Sequence, residues 1–305
     1  MKLAQIALFV YNRPQHTRRT VGALQKNELA EKSDLVIFSD APKTPEAAEA
    51  VREVREYIKT IDGFRSVSII ERDRNLGLAN SVIDGVTKLC KEYGRVIVLE
   101  DDLITSPFFL EYMNTALARY QNDEQVMQIS GYMFPISVAA ATDAVFLPMT
   151  TSWGWATWQR AWQHFDPAAR GHGALKDNVD MRHKFNLDGG YDYFGMLEQQ
   201  MQGKIDSWAI RWYLSVWIRG GLTLFPLITL VENIGFDGSG THGAAAHLIN
   251  PSSSAFKVVT FPATKINTTT QRAVYEYLKK SRPKFSQGWI IRRLKIALAK
   301  IFQKI

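Results

Sequence analysis

The first third of the chain alternates short apolar runs with amphipathic stretches, and this pattern most restricts the folds open to it. Ile6–Val10, Leu35–Phe38, Ser66–Ile70 and Val96–Leu99 read as strands. Gln15–Leu29, Pro45–Lys59 and Leu78–Tyr93 carry apolar residues at helical spacing between them. Near-continuous apolar strands separated by helices predict an open parallel sheet covered on both faces. In such sheets ligands sit beyond the carboxyl ends of the strands. Three of the four runs end there in polar sequence: Tyr11-Asn12-Arg13, Ser39-Asp40 and Glu100-Asp101-Asp102.

Composition narrows the classes further. With 305 residues, 46% apolar and 22% charged, the chain can bury a full core, which excludes disorder, collagen and a coiled coil for the whole. The single cysteine, Cys90, rules out an internal disulfide and a cysteine zinc site, in keeping with a reducing compartment. The apolar opening is short and runs into Tyr11-Asn12-Arg13-Pro14, so it reads as a buried strand rather than a leader. No window reaches the roughly 20 apolar residues of a membrane span. Beyond the first half the rhythm fades: Gln125 to Trp162 is rich in Gly, Pro, Ser, Thr and aromatics.

The strongest chemical signal is Glu100-Asp101-Asp102 directly after an apolar strand. Three crowded carboxylates raise one another's pKa unless a cation sits among them, and hard oxygen ligands suit Mg2+ or Mn2+. The other reading is an acidic helix N-terminus. Asp40 could accept hydrogen bonds from a base or ribose, or cap its own turn. Arg13, before a helix, stands where a phosphate would bind, or is a solvated loop residue. In Arg74-Asn75-Leu76-Gly77, Gly77 permits a tight turn, and Arg74 and Asn75 could reach a diphosphate or sugar hydroxyls. Glycine-rich phosphate loops of the ATPase and dinucleotide types are missing from the sequence. Phe236 to Gly243 is polar and glycine-rich, and His242 within it could reach a phosphate or a metal, or be a surface loop histidine.

In order and approximate spacing, Phe9-Val10-Tyr11-Asn12-Arg13-Pro14, Arg74-Asn75-Leu76-Gly77 and Glu100-Asp101-Asp102 resemble the GT-A superfamily of nucleotide-sugar glycosyltransferases. Within it the chain is similar to bacterial family 2-like enzymes and, more distantly, to the N-acetylglucosaminyltransferase I family. The resemblance implies an α/β GT-A fold with a mostly parallel sheet and flanking helices. It implies that Asp102 ligates a divalent metal, Mn2+ or Mg2+, and that Asp40 contacts the base. Arg13, Arg74, Asn75, Glu100 and Asp101 then complete the nucleotide-sugar site. Ser152-Trp153-Gly154-Trp155 resembles the acceptor-side element of these enzymes, which makes Trp153 and Trp155 acceptor-binding candidates. Trp208, Trp212 and Trp217 are expected mostly in the core. Residues 1–130 would be the nucleotide-sugar half, 131–249 the acceptor half and 250–287 a connector.

An inverting transferase needs a carboxylate to take the acceptor proton. The stretch comparable to the family's acidic pair before Trp is Lys204-Ile205-Asp206-Ser207-Trp208, with one acid where the family has two. Asp206 is therefore the catalytic candidate, with a helix N-cap as its other reading. Glu198, Asp192 and Asp237 stand in reserve. A sugar-phosphate nucleotidyltransferase is the nearest rival enzyme, and a non-catalytic, membrane-associated glycan or nucleotide binder the rival from another class.

Net charge is +7, and residues 288–305 hold Arg292, Arg293, Lys295, Lys300 and Lys304 with no acid. Ile290, Ile291, Leu294, Leu298, Ile301 and Phe302 recur at three- and four-residue steps opposite them. That pattern predicts a basic amphipathic helix on an anionic membrane surface, in preference to nucleic acid. Docking of the helix on the body is the other reading. A glycan or lipid-linked acceptor in lipopolysaccharide or surface polysaccharide synthesis, at the inner face of the cytoplasmic membrane, is the expectation that follows.

Overall fold

The computed structural model describes residues 2–237 and 256–281. The predicted alternation opens the chain: β1 Gln5–Val10, α1 Pro14–Gln25, β2 Asp34–Ser39, α2 Ala48–Ile58, β3 Ser66–Glu71, α3 Leu78–Tyr93 and β4 Arg95–Glu100. β5 Leu103–Thr105, α4 Phe109–Arg119, β6 Val126–Ser130, β7 Ala144–Leu147 and β8 Trp155–Trp158 follow. The second half continues with α5 Gln159–Trp162, α6 His172–Asp177, α7 Val179–Phe185, α8 Tyr193–Met201, α9 Trp208–Ile218, β9 Leu222–Pro226, β10 Val231–Asn233 and α10 Thr268–Ser281.

Eight strands form one sheet in the order β3-β2-β1-β4-β8-β6-β9-β7. β1 lies at the centre of the parallel part, with Leu8 facing Ile37 of β2 and Leu99 of β4. β8 enters antiparallel between β4 and β6, and β7 closes the far edge antiparallel to β9. The fold is thus α/β with a mostly parallel sheet and flanking helices.

Alternation along each strand sorts the core into two layers. Ile6, Leu8, Ile97 and Leu99 point into one layer with Val21 and Leu24 of α1, Val54 of α2 and Leu117 of α4. Ala7, Phe9, Val96 and Val98 point into the other with Val82, Val86 and Leu89 of α3 and the indoles of α5 and α9. β3 is a partly exposed edge, as its Ser and Glu content suits. A separate small ribbon pairs β5 with β10, Leu103 opposite Asn233 and Thr105 opposite Val231. It brings the chain after residue 230 to the carboxyl end of β4.

The stretch read as a connector holds α10, and Ile266 bridges Phe146 of β7. Val274 is fully buried, and the Tyr120 hydroxyl donates to the Pro262 carbonyl at 2.7 Å. Its few apolar residues are spread too thinly for periodicity to register. The 288–305 helix lies outside the described residues. Among the described residues no helix is long and apolar enough to cross a membrane.

Candidate active site

The carboxyl ends of β1, β2 and β4 gather most of the residues singled out from the sequence. After β1 the chain turns through Arg13, and Pro14 starts α1, where its missing N–H costs nothing. The Arg13 guanidinium donates to both Asp101 and Asp102, the latter at 2.9 Å. Burial opposes the charge on Arg13, but the two carboxylates outweigh it and raise its pKa. The Tyr11 N–H donates to Asp101 at 3.4 Å, and the Thr20 hydroxyl to the Asp101 carbonyl at 2.8 Å.

One arginine does not neutralise this corner. Burial, reinforced by the charges of Asp102 and Asp101, pushes Glu100 up to about 8. Burial also pushes Asp101 up to about 6 against the pull of Arg13. The triplet thus favours any further positive charge. Gly235 completes the wall: a Cβ there would collide with the Asp102 carboxylate and lie 3.1 Å from Arg13, so only bare backbone fits. The Ile234 N–H donates to the Asp102 carbonyl at 2.9 Å. His16 of α1 presents Nε2 to the Ile234 carbonyl at 3.3 Å and to Asp237 at 3.1 Å. Both partners are acceptors, so Nε2 carries the proton and ties this segment to α1.

Among the described residues no three His, Cys, Asp or Glu side chains converge as a cage for a metal ion. A Mg2+-type ion does not need one: it is commonly bound by one or two carboxylates together with substrate phosphates. Hard oxygen donors, two carboxylates already bridged by a cation, and raised pKa values all fit a divalent ion held by Asp102 with its neighbours. His242 lies outside the described residues.

Asp40 does something different at the end of β2. It is 6% exposed, and its carboxylate accepts the N–H groups of Leu76 at 2.9 Å, Gly77 at 2.9 Å and Ala41 at 2.9 Å. The Asn75 amide adds a fourth bond at 3.1 Å. Gly77 holds φ at 75°, a conformation that suits glycine. Asp40 and Asn75 are therefore together, as the sequence suggested, but Asp40 folds the 74–77 loop onto β2. Arg55 staples the same place from below, donating to the Arg72 carbonyl at 2.8 Å and to the Ser39 hydroxyl at 3.3 Å. Arg74 is exposed on the loop.

The tryptophan expectation needs correction at Trp155. Its side chain is 0% exposed and stacks on Trp208 at 5.0 Å, within a cluster completed by Trp162 and Trp212. It is core and unable to touch an acceptor. Trp208 and Trp212 are buried as expected, and Trp217 is partly buried. Trp153 sits before β8, its ring 4.5 Å from Tyr132 and 5.6 Å from Phe236. It borders a cavity of about 280 Å³ shared with Tyr132, Phe134, Tyr193 and Trp208. Phe236 follows Gly235, so a line of aromatic contact runs from the acidic corner to this cavity.

Asp206 stands just before α9, its side chain 56% exposed and 2.8 Å from Arg211. The N-cap of α9 is Ser207, which accepts from the Ile210 N–H at 3.4 Å. Of the reserves, Asp192 caps α8 through the Gly195 N–H, Glu198 pairs with His172, and Asp237 faces His16. His16, Gly235 and Tyr193 belong to these two sites and carry no motif. The first two lie just outside the segments singled out from the sequence, beside the turn Tyr11–Arg13 and the segment that starts with Phe236.

No protein-family model matches the chain, and no curated protein matches it by sequence. It is similar in structure to the mannosyltransferase PcManGT from Pyrobaculum calidifontis, solved with GDP-Man and Mn2+, at 14% identity and TM-score 0.36. That match covers 57% of this chain and 52% of the other. It is similar to GalNAc-T7, solved with UDP, GalNAc and Mn2+, at 14% identity and TM-score 0.45, over 74% of this chain and 43% of the other. S. aureus TarS matches at 12% identity and TM-score 0.36, over 53% and 30%. The chain spans about half the length of the first of these and less of the other two.

Proposed function

We propose that the chain is a metal-dependent glycosyltransferase that moves a sugar from a nucleoside diphosphate to a glycan hydroxyl, with inversion. The observation that carries the reading is the undercompensated triplet at the end of β4, joined by aromatic contacts to a cavity large enough for a sugar ring. The loop held by Asp40 and the turn through Arg13 offer backbone and cationic groups to the nucleotide. When bound at Asp102, a divalent ion would offset the charge of the leaving diphosphate. Arg13 holds Asp101 and Asp102 in place, and the Gly235 backbone lets the Asp102 carboxylate pack close against it. Asp206, at the head of the helix whose first residues line the cavity, takes the acceptor proton in this reading. The basic, apolar pattern of residues 288–305 supports attachment to an anionic membrane surface, and with it a lipid-linked or surface-polysaccharide acceptor.

Calorimetric titration with UDP and GDP, with and without Mn2+, tests the reading. Binding of one nucleotide that needs the metal is the expected result. Failure of both to bind in Mn2+ and in Mg2+ overturns it. Asp206→Asn should keep that binding and lose transfer by about 10²-fold or more.

A further inference from the structure

The cavity beside Trp153 says what kind of acceptor the chain takes, an inference that rests on the transferase reading above. Its walls come from distant parts of the chain: Tyr132 after β6, the 150–153 segment before β8, Tyr191 and Tyr193 at α8, and Trp208 at α9. Among the described residues that line it, none carries a charge. The charged pair Asp206 and Arg211, joined at 2.8 Å just before and within α9, is not part of the wall.

Three physical facts limit the occupant. At about 280 Å³ the cavity lies at the small end of ligand sites, which suits one ring and not an extended chain. An ionised group placed there would lose hydration without gaining a counter-charge, which is costly. Thr150, Thr151 and Ser152 make one wall polar but uncharged, the Thr151 hydroxyl already bonded to Ser130 at 2.6 Å, while the aromatic residues make the rest of the lining apolar. A pyranose has both surfaces, apolar C–H faces and a rim of hydroxyls; an alkyl or prenyl chain has only the first.

The geometry points to a subsite for one neutral pyranose of the acceptor glycan, discriminating against uronic and sialic acids. Trp153 is its side toward the acidic corner, through the 5.6 Å contact with Phe236.

Saturation-transfer NMR on the full chain tests this, using methyl glycosides of glucose, galactose, mannose, N-acetylglucosamine and N-acetylgalactosamine, with glucuronic, galacturonic and sialic acid glycosides and octanol as counter-probes. At least one neutral glycoside should bind 10-fold or more tightly than its acidic counterpart. Ala209→Phe, which fills the cavity from α9, should weaken that binding at least 10-fold, and Trp153→Ala should do so independently. Equal binding of acidic glycosides, binding of octanol alone, no binding by any neutral glycoside, or indifference to both substitutions overturns the subsite. Nucleotide titration of the same samples separates the two claims. If neutral glycosides bind and no nucleotide does, the transferase reading fails while the subsite stands; the opposite pattern removes only the subsite.

Discussion

Two carboxylate-bearing strand ends flank β1 in this sheet, and they solve the same problem in opposite ways. At the end of β2, Asp40 is buried, and its charge is met by three backbone N–H groups and one amide. At the end of β4, one guanidinium bonds two of three acids, and Glu100 and Asp101 are held well above their ordinary pKa. The first arrangement is complete and builds a loop; the second is incomplete and invites a cation. Burial alone does not tell these two corners apart. The balance of partners does.

The largest effect expected from breaking this contrast is at Asp102. Asp102→Ala should abolish the metal dependence of nucleotide binding, a loss of about 10²–10³-fold; titration in Mn2+ that matches the unaltered chain would show that the ion sits elsewhere. Asp40→Ala should instead act on stability. Unsatisfied Leu76 and Gly77 N–H groups cost on the order of 2 kcal/mol, read as a lower urea midpoint, while any metal dependence of binding persists.

A subtler contrast is in pH. Folded Glu100 and Asp101 stand at about 8 and about 6, against ordinary values of 4.5 and 3.8. The folded chain then holds protons the unfolded chain has released, so metal-free stability should fall as pH rises from the ordinary carboxylate range to about 8. Mn2+ should flatten that slope, as should Glu100→Gln; urea midpoints across pH check both. The smallest change belongs to His16→Ala, which unties the 234–237 segment from α1. It should weaken metal-dependent nucleotide binding a few-fold, with His16→Gln restoring most of it; no change with Ala would separate His16 from the site.

The first four strands and three helices were legible because their apolar spacing is a property of neighbours in sequence. The acid triplet was legible for the same reason. Trp153 and Trp155 show where local reading fails. Two positions apart, they would share a face of a continuous strand, but Gly154 at φ 58° breaks the alternation, and β8 begins only at Trp155. One indole goes to the cavity and the other into the core. Asp40 was found, yet its employment depends on Leu76 and Gly77 arriving from a loop 36 and 37 residues away. The cavity was illegible altogether, since its walls meet only after the sheet has formed.

The β5–β10 ribbon has an outcome for biosynthesis. Glu100, Asp101 and Asp102 leave the ribosome long before Ile234 and Gly235, which complete their wall. Until then the nascent acids can meet Arg13 but not the late backbone, so the acidic corner reaches its finished form only when the ribbon pairs. A chain ending before β10 would lack the Ile234 N–H that the Asp102 carbonyl accepts and the Gly235 backbone that lies against the Asp102 carboxylate.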